Sequence, residues 1–563
     1  MRLGELLLEA GKISPETLAD TLAKQPGAGR RLGELLIDAG HISELDLLEA
    51  LARQFCFDML ARVPDAELDP ELVRDLPVEW ARTHHMLPVR HEGRVAVLME
   101  DPTRIDALGD LSLLLDCEPL PLLAPAAEIA RCIEQCYYHR GDSSSRFLDT
   151  MTADPAAAAQ SAARAAGSDD LLRVADQAPV TQLVNLVLLE ALKARASDVH
   201  VEPFEKHLRI RFRIDGQLYD QSSPPKHLEA ALVSRLKVMG KLDIAEKRLP
   251  QDGMARVRVG EREVDIRIST IPVAEGERVV LRLLNLDSAQ IPLADLGMPA
   301  TVLEPMRRLL SEPNGIILVT GPTGSGKTTT LYAALREVDT LHKNVLTIED
   351  PIEYQLPRIG QIQVKPKIGL TFANGLRHIL RQDPDVILVG EVRDLETAEI
   401  MVRSSLTGHL VFSTLHTNDA AGAVLRLCDM GIESYLLASA LRAALAQRLV
   451  RRLCPLCRSP YTASAEDLAP LGAEARPLVG QTLHAANGCD ACLGGYAGRI
   501  GIYELLLVDP AMRERIRQGA GPESLKEQAV AAGMPTLLHD GIEKVRAGIT
   551  TVDEIARALG HAG

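Results

Sequence analysis

The sequence predicts a multidomain α/β protein, and three observations predict it. The chain has 563 residues, too many for one hydrophobic core, and about 150 residues per domain gives roughly three or four. From about residue 298 onward, short apolar strands alternate with helical segments, the pattern of a parallel sheet with crossover helices. Upstream of that core lie a tandem repeat of helical character and a block of strictly alternating strands. An apolar content of 46% with 25% charged residues is ordinary for globular chains, so most of the sequence is expected to fold. The divisions read from composition are a helical N-terminal module at 1–139, a linker at 140–170, an α+β domain at 171–297 and an α/β domain at 298–563. The last carries a cysteine-bearing insertion at 450–500.

The repeat comes first. Residues 2–25 align without gaps with 31–54, with 14 identities in 24 positions. Leu3, Leu6, Leu7 and Ala10 have helical spacing, and Gly11 can close that helix. Ser14 is placed to cap a second helix that has Pro15 at its first position, and Ser43 with Asp46 makes the equivalent capping pair in the second copy. Each copy therefore reads as a short helical hairpin. Beyond it, Arg94 to Met99 reads as a strand and Ile129 to Tyr138 as a helix. Ser143–Ser145 and the alanine-rich run at 155–166 mark the linker.

A helix at 179–195 opens the next domain. In the strands that follow, Arg209, Arg211 and Arg213 share one face against Ile210, Phe212 and Ile214 on the other. Asp265 and Arg267 oppose Val264, Ile266 and Ile268 in the same way.

The strand Ile316–Val319 runs directly into Gly321, Pro322, Thr323, Gly324, Ser325, Gly326, Lys327 and Thr328, and Thr329 continues into a helix. This is a phosphate-binding loop in its strand–loop–helix context. Glycines let backbone N–H groups curl around phosphates, and the helix N-terminus adds a positive dipole. Lys327 is expected to reach the β/γ-phosphates of ATP, and the Thr328 hydroxyl to hold Mg²⁺. Three boxes follow: Glu349, Asp350 and Glu353 after one strand, Glu391 at the end of Val386–Val389, and His416 at the end of Leu410–Leu415. Ligands of parallel sheets bind at the carboxyl ends of strands, so all three boxes are expected near the phosphates. Phosphoryl transfer needs charge neutralisation and an oriented water, which these residue types supply.

Cys454 and Cys457, then Cys489 and Cys492, form two C-x2-C knuckles separated by 31 residues. Four thiolates suit a closed tetrahedral Zn²⁺ site, with the intervening segment looped out. The other cysteines (Cys56, Cys117, Cys132, Cys136 and Cys428) read as core thiols.

The composition speaks against a nucleic-acid-remodelling ATPase, the other class that such a core could serve. A net charge of −15 lacks the basic face of a nucleic-acid binder, and 3% aromatics offer few stacking platforms. No apolar run approaches the roughly 18 residues that span a bilayer, and Met1–Glu5 does not begin a signal peptide. The expectation is a soluble cytoplasmic protein.

The phosphate loop, the three boxes and the tetracysteine together resemble the ATPases of type II secretion and type IV pilus assembly. Arg195–Pro203 resembles that family's second N-terminal domain. The resemblance implies a RecA-like ATPase core and a homohexamer with ATP between subunits, peripheral to the inner membrane through platform proteins. It also implies that Arg267 and Arg282 complete the site of a neighbouring subunit, while Met254 stands where family members commonly carry arginine. Within the catalytic set, Glu391 and Glu353 divide the roles of Mg²⁺ positioning and general base, with Glu353 favoured as the base. Leu249–Gly253 and Thr414–Ala420 look more like the secretion branch than the pilus-extension branch.

The tandem motifs resemble the cyclic di-GMP-binding module found on some of these ATPases, including the five-residue spacer at 26–30. That resemblance implies a ligand site built from Arg2, Leu3, Gly4, Leu18, Leu22 and Gln25 of the first motif. The second motif contributes Arg31, Leu32, Gly33, Leu47, Leu51 and Gln54. Arginines suit phosphate or guanine edges, leucines the base faces, and glycines a close backbone approach. The alternative is a pair of hairpins that docks a membrane partner.

Overall fold

The computed structural model describes residues 2–28, 31–73, 76–138, 144, 179–259, 262–284, 291–489 and 492–560. The expected linker at 140–170 lies outside the described residues, Ser144 excepted. The chain forms two compact units that divide between Leu283 and Leu284. The expected boundary at 297/298 falls later than this division. Leu293 and Met298 are buried in the core of the second unit, which draws the segment before residue 298 into it.

The first unit opens with four helices, α1 Leu3–Glu9, α2 Pro15–Ala28, α3 Leu32–Asp38 and α4 Glu44–Phe55. They realise the two hairpins read from the repeat. Gly11 and Gly40, with φ of 66° and 70°, turn the chain after the first helix of each copy. Ser14 Oγ accepts from the Thr17 N–H, and Ser43 with Asp46 makes a reciprocal capping box. Leu6, Leu7, Ile13, Leu36, Ile42 and Ala50 form a small shared core. Lys12 of the first copy is tied to Asp46 and Glu49 of the second.

Strands β1 Asp58–Met59, β2 Met86–His91, β3 Arg94–Met99 and β4 Leu120–Leu123 follow, in the sheet order β1-β4-β3-β2. The helix Ala126–Tyr138 buries Ile129, Cys132, Ile133 and Cys136 against them. Burial pushes both of those thiols up to about 12, so they behave as small apolar groups. Cys56 departs from the core reading. It occupies the left-handed C-cap of α4, at φ 56°, and is exposed. Cys117 and Cys428 are half-buried.

The helix Pro179–Lys193 stops two residues short of expectation, because Arg195 takes a left-handed backbone at φ 52°. A six-stranded sheet then forms from β5 Asp198–Pro203, β6 Leu208–Ile214, β7 Gln217–Ser222, β8 Gln251–Val259, β9 Arg262–Val273 and β10 Gly276–Leu284. Its order is β7-β6-β5-β10-β9-β8. The apolar face packs Ile210, Phe212, Val264, Ile266, Ile268, Val279 and Leu281 into one core. The other face is polar, as the alternation of Arg209, Arg211 and Arg213 requires.

The second unit is built on a seven-stranded sheet in the order β13-β12-β14-β15-β11-β16-β19. Its strands are β11 Gly315–Thr320, β12 Val345–Glu349, β13 Gly360–Gln363, β14 Val386–Val389, β15 Leu410–Leu415, β16 Leu441–Leu453 and β19 Tyr496–Leu507. Five neighbouring pairs are parallel, as expected. The edge pair β16–β19 is antiparallel, which the expectation of a purely parallel core did not include. The segment between those two strands holds the cysteine knuckles. Their intervening residues form a two-stranded sheet, β17 Ser459–Thr462 with β18 Thr482–Ala485, and short helices whose Leu468, Leu471 and Leu478 join the main core. Both sheet faces are covered: Ile316, Leu318, Ile387 and Val411 point into one core, and Ile317, Val319, Leu388 and Phe412 into the other.

Beneath β19, the helix Leu537–Arg546 holds a buried ion pair. Lys544 Nζ lies 2.6 Å from an Asp540 carboxylate oxygen, which also accepts the Tyr503 N–H at 2.8 Å. Burial raises the Asp540 pKa and lowers that of Lys544, against the attraction between them. Asp540→Ala strands an ammonium and a backbone donor, and is expected to cost about 3–5 kcal/mol. Lys544→Met is expected to cost less, because a buried carboxyl can take up a proton and keep the Tyr503 bond. Hydrogen exchange across Tyr496–Leu507 checks the order; equal protection in both variants would overturn it.

Candidate active site and metal centre

The phosphate loop spans the end of β11 and the start of the helix Lys327–Glu337. Gly321 and Gly326, with φ of 148° and 87°, take conformations that glycine alone adopts readily. Close packing adds to this: a Cβ on Gly321 would lie 2.4 Å from the Gln447 carbonyl oxygen, and one on Gly326 2.9 Å from the Gln447 amide nitrogen. Lys327 Nζ donates to the carbonyls of Gly321 at 2.8 Å and Pro322 at 3.1 Å, folding over the loop. Burial brings its pKa down to about 8, with Glu391 pulling it back up. An anion in the loop favours the charged ammonium. Thr328, half-buried, follows in the first turn of the same helix, with Thr329 beside it.

Gln447 on β16 is the element that the motif reading did not contain. Its side chain is buried, donates to the Ser325 carbonyl at 2.5 Å and accepts from the Thr330 hydroxyl at 2.8 Å. It therefore holds the loop and the helix it feeds. The signal available was a polar amide directly after the apolar run Ala443–Ala446.

Glu391 and His416 come together beside the loop. His416 Nε2 is 3.8 Å from a Glu391 carboxylate oxygen, and Arg393 donates to the other oxygen of Glu391. Burial lowers the His416 pKa, and the positive charge of Lys327 lowers it further. The strand ends are cross-tied: Ser413 Oγ donates to the Val389 carbonyl at 2.8 Å and Thr414 Oγ1 to the Gly390 carbonyl at 2.7 Å. The residue preceding Glu391 is thus fixed by the strand that carries His416.

The first acidic box divides in two. Glu349 is buried at the end of β12, where Thr347 donates to it at 2.5 Å, Gln361 at 3.2 Å, and Tyr332 by a short bond. Glu353, half-buried on the following loop, donates its backbone N–H to the Tyr332 hydroxyl at 3.4 Å. Glu349 is thus a packed anchor for the box, and Glu353 stands on the loop that it anchors.

In the first unit, Arg267 on β9 and Arg282 on β10 project from the polar sheet face. Arg282 Nε lies 3.0 Å from Asp198, and the Arg282 side chain is 56% exposed. Arg267 is 40% exposed and 3.9 Å from Asp252. Met254, the register partner of Arg267, is exposed beside it.

The four cysteines converge. Sulfur separations are 3.9 Å for Cys454–Cys489, 3.6 Å for Cys457–Cys492 and 3.7 Å for Cys489–Cys492, and all four sulfurs lie within 4.8 Å of one another. A tetrahedral zinc with bonds of about 2.3 Å sets its sulfurs about 3.8 Å apart. The cluster fits that ion.

The tandem motifs fold as paired copies with unequal surroundings. The glycines serve the hairpins themselves. A Cβ on Gly4 would sit 2.8 Å from Leu18, and one on Gly33 2.6 Å from Leu47, so these leucines pack over the glycine positions. Leu3, Leu18, Leu32 and Leu47 are partly buried around the shared core, while Leu22 is exposed. Leu51 packs against the larger core of the unit. Arg31 Nη1 pairs with Asp101 at 2.7 Å. Arg2 is exposed and its N–H donates to Glu5; Gln25 is half-buried and Gln54 exposed.

Comparison with known proteins places this architecture. The family described as "Type II/IV secretion system protein" matches residues 173–557, and the MshEN domain matches 60–143, directly after the tandem motifs. The "Type II secretion system ATPase E" of Vibrio cholerae is 51% identical over 86% of this chain and 96% of its own length. The "Type IV pilus assembly ATPase PilB" of Myxococcus xanthus is 42% identical over 98% of each. The solved structure of the Yersinia pseudotuberculosis ATPase DotB shares the fold, with a TM-score of 0.51 at 22% identity over 68% of this chain and 94% of that one. With its phosphate loop and strand-end carboxylates in place, the chain is a P-loop ATPase belonging to the type II/IV secretion system protein family.

Proposed function

We propose that this ATPase is a homohexameric motor that couples ATP hydrolysis to type II protein secretion, driving pseudopilus assembly from the inner face of the inner membrane through platform proteins. The observation that carries the chemistry is the convergence of Glu391 and His416 beside Lys327. Relatives named for type II secretion at 51% and 46% identity favour that branch over pilus extension. Among the described residues no helix is long and apolar enough to cross a membrane, which agrees with attachment through partners.

In this reading the loop amides and Lys327 bind the β/γ-phosphates, and Thr328 holds Mg²⁺, the hard-oxygen donor expected for that ion. Glu391, steadied by Arg393, orients the metal's water shell or the attacking water, with Glu353 as the second carboxylate. Arg267 and Arg282 reach a neighbour's γ-phosphate by their planar forks. Lys327→Ala is expected to abolish turnover, and Glu391→Gln to keep nucleotide binding while losing at least about a hundredfold in kcat. Mixing Lys327→Ala subunits with Arg282→Ala subunits is expected to restore part of the activity. Normal turnover in either of the first two variants overturns the site. No rescue in proven mixed rings places the arginine in its own subunit's chemistry.

Zinc occupies the tetracysteine in a structural role, since four protein ligands leave no open position. Metal analysis is expected to return about one zinc ion per chain, lost on Cys457→Ser together with Cys492→Ser. Metal-free protein with four freely titrating thiols excludes it.

The tandem motifs bind cyclic di-GMP through Arg2, Arg31 and the exposed edges of the leucine set, gating the motor. The MshEN match directly after the motifs favours this over docking alone. Calorimetry with the full chain is expected to show binding at tens of micromolar protein or below, lost in Arg2→Ala/Arg31→Ala. Unchanged binding in that variant removes the arginines from the site.

A further inference from the structure

Thr320 is the last residue of β11, directly before Gly321, and it is completely buried. Its side chain does not turn toward the phosphate loop. It reaches across to the end of β15, the neighbouring parallel strand, in which Leu415 is its register partner. The hydroxyl donates to the Leu415 carbonyl at 3.1 Å, accepts from the Thr417 N–H at 2.9 Å, and lies 2.7 Å from Thr417 Oγ1. Thr417 Oγ1 spends its own proton on the Asp419 carbonyl at 2.9 Å. One side chain thus grips the backbone on both sides of His416, the residue whose imidazole faces Glu391 at 3.8 Å.

Without Thr320, nothing in this set ties the turn at His416 to β11. The strand ladder between β11 and β15 ends at the Thr320–Leu415 pair, and beyond it the chain leaves the sheet. At that point the main-chain register no longer fixes where His416 stands. A side chain that takes both a carbonyl and an N–H from the flanking peptides replaces two ladder bonds. It originates one residue before the phosphate loop, so the histidine is placed relative to that loop.

We infer that Thr320 is a positioning residue for hydrolysis: its hydroxyl fixes His416 against Glu391 and the phosphate loop, acting on turnover and leaving nucleotide binding unchanged. This rests on the reading of His416 as part of the site. Valine has the same shape as threonine and removes both hydrogen bonds, to the Leu415 carbonyl and from the Thr417 N–H, whereas serine keeps them.

The test is a double-mutant cycle on the full-length ATPase with Mg-ATP, reading kcat and KM separately. Thr320→Val is expected to lower kcat by about tenfold or more with KM for ATP within about twofold, since small misplacements at a reacting centre cost rates of that order. Thr320→Ser is expected to stay within about threefold of the parent in both. In a His416→Ala background, Thr320→Val is expected to cost nothing further, because a histidine that is absent cannot be misplaced. A purely structural threonine instead lowers activity by the same factor in both backgrounds, or raises KM, and either result overturns the inference. If His416→Ala itself leaves kcat unchanged, the site reading fails rather than the role of Thr320 within it. Should Thr320→Val not fold, Thr320→Ala carries the test. It removes the same two bonds, and a kcat equal to the parent's, or a loss that persists unchanged in the His416→Ala background, overturns the inference.

Discussion

The whole second unit depends on four parallel strands ending at one edge of one sheet. β12, β14, β15 and β11 are neighbours in that order, and their registers bring Glu349, Gly390, Leu415 and Thr320 to the same end. A parallel ladder places residues that are distant in sequence at a common depth at the carboxyl ends of its strands. Once the ladder is set, the chemistry is confined to the few residues that step off each strand. Side-chain hydroxyls then continue the ladder where the backbone stops, through Ser413, Thr414 and Thr320. Each of these hydroxyls is shielded from water, so each hydrogen bond to a carbonyl counts where an unpaired group would be costly.

Several buried polar side chains of this unit are tied to backbone. Gln447 holds the Ser325 carbonyl, Glu504 accepts the N–H groups of Ala420 and Leu537, and Asp540 accepts that of Tyr503. Burial raises the Glu504 pKa, against the pull of the Ala420 and Leu537 N–H donors. Glu504 thereby fixes two helix starts, the points where regular hydrogen bonding runs out, and Asp540 takes an N–H within β19.

Much of this was legible in the sequence because it is local. The phosphate loop, the capping pairs at Ser14 and Ser43, the strand Arg94–Met99 and the paired cysteine knuckles each depend on residues within a few positions of one another. What stayed hidden depends on partners far along the chain. Gln447 touches Ser325 across 122 positions and Thr320 touches Thr417 across 97, and no periodicity announces such a pair. The antiparallel edge formed by β16 and β19 was hidden for the same reason. A strand's direction is set by its partner, and here the partner follows a long insertion. The exposed Cys56 shows the reverse limit: an apolar residue type was overruled by a left-handed cap that turns the side chain outward. Glu349 and Glu353 are near neighbours in one acidic run, and only the packing of Tyr332 and Gln361 separates the buried anchor from the half-buried carboxylate on the loop.

The duplicated motifs at the N-terminus carry a different lesson. Their 14 shared positions give the same hairpin twice, yet the two copies are not equivalent hosts. Arg31 is already engaged by Asp101, and Leu51 is committed to a larger core than its counterpart Leu22, which is exposed. Duplication has therefore produced a symmetric sequence inside an asymmetric frame. A ligand with two like ends would meet two unlike receptors there, and its two halves would contribute unequally to its hold on the protein.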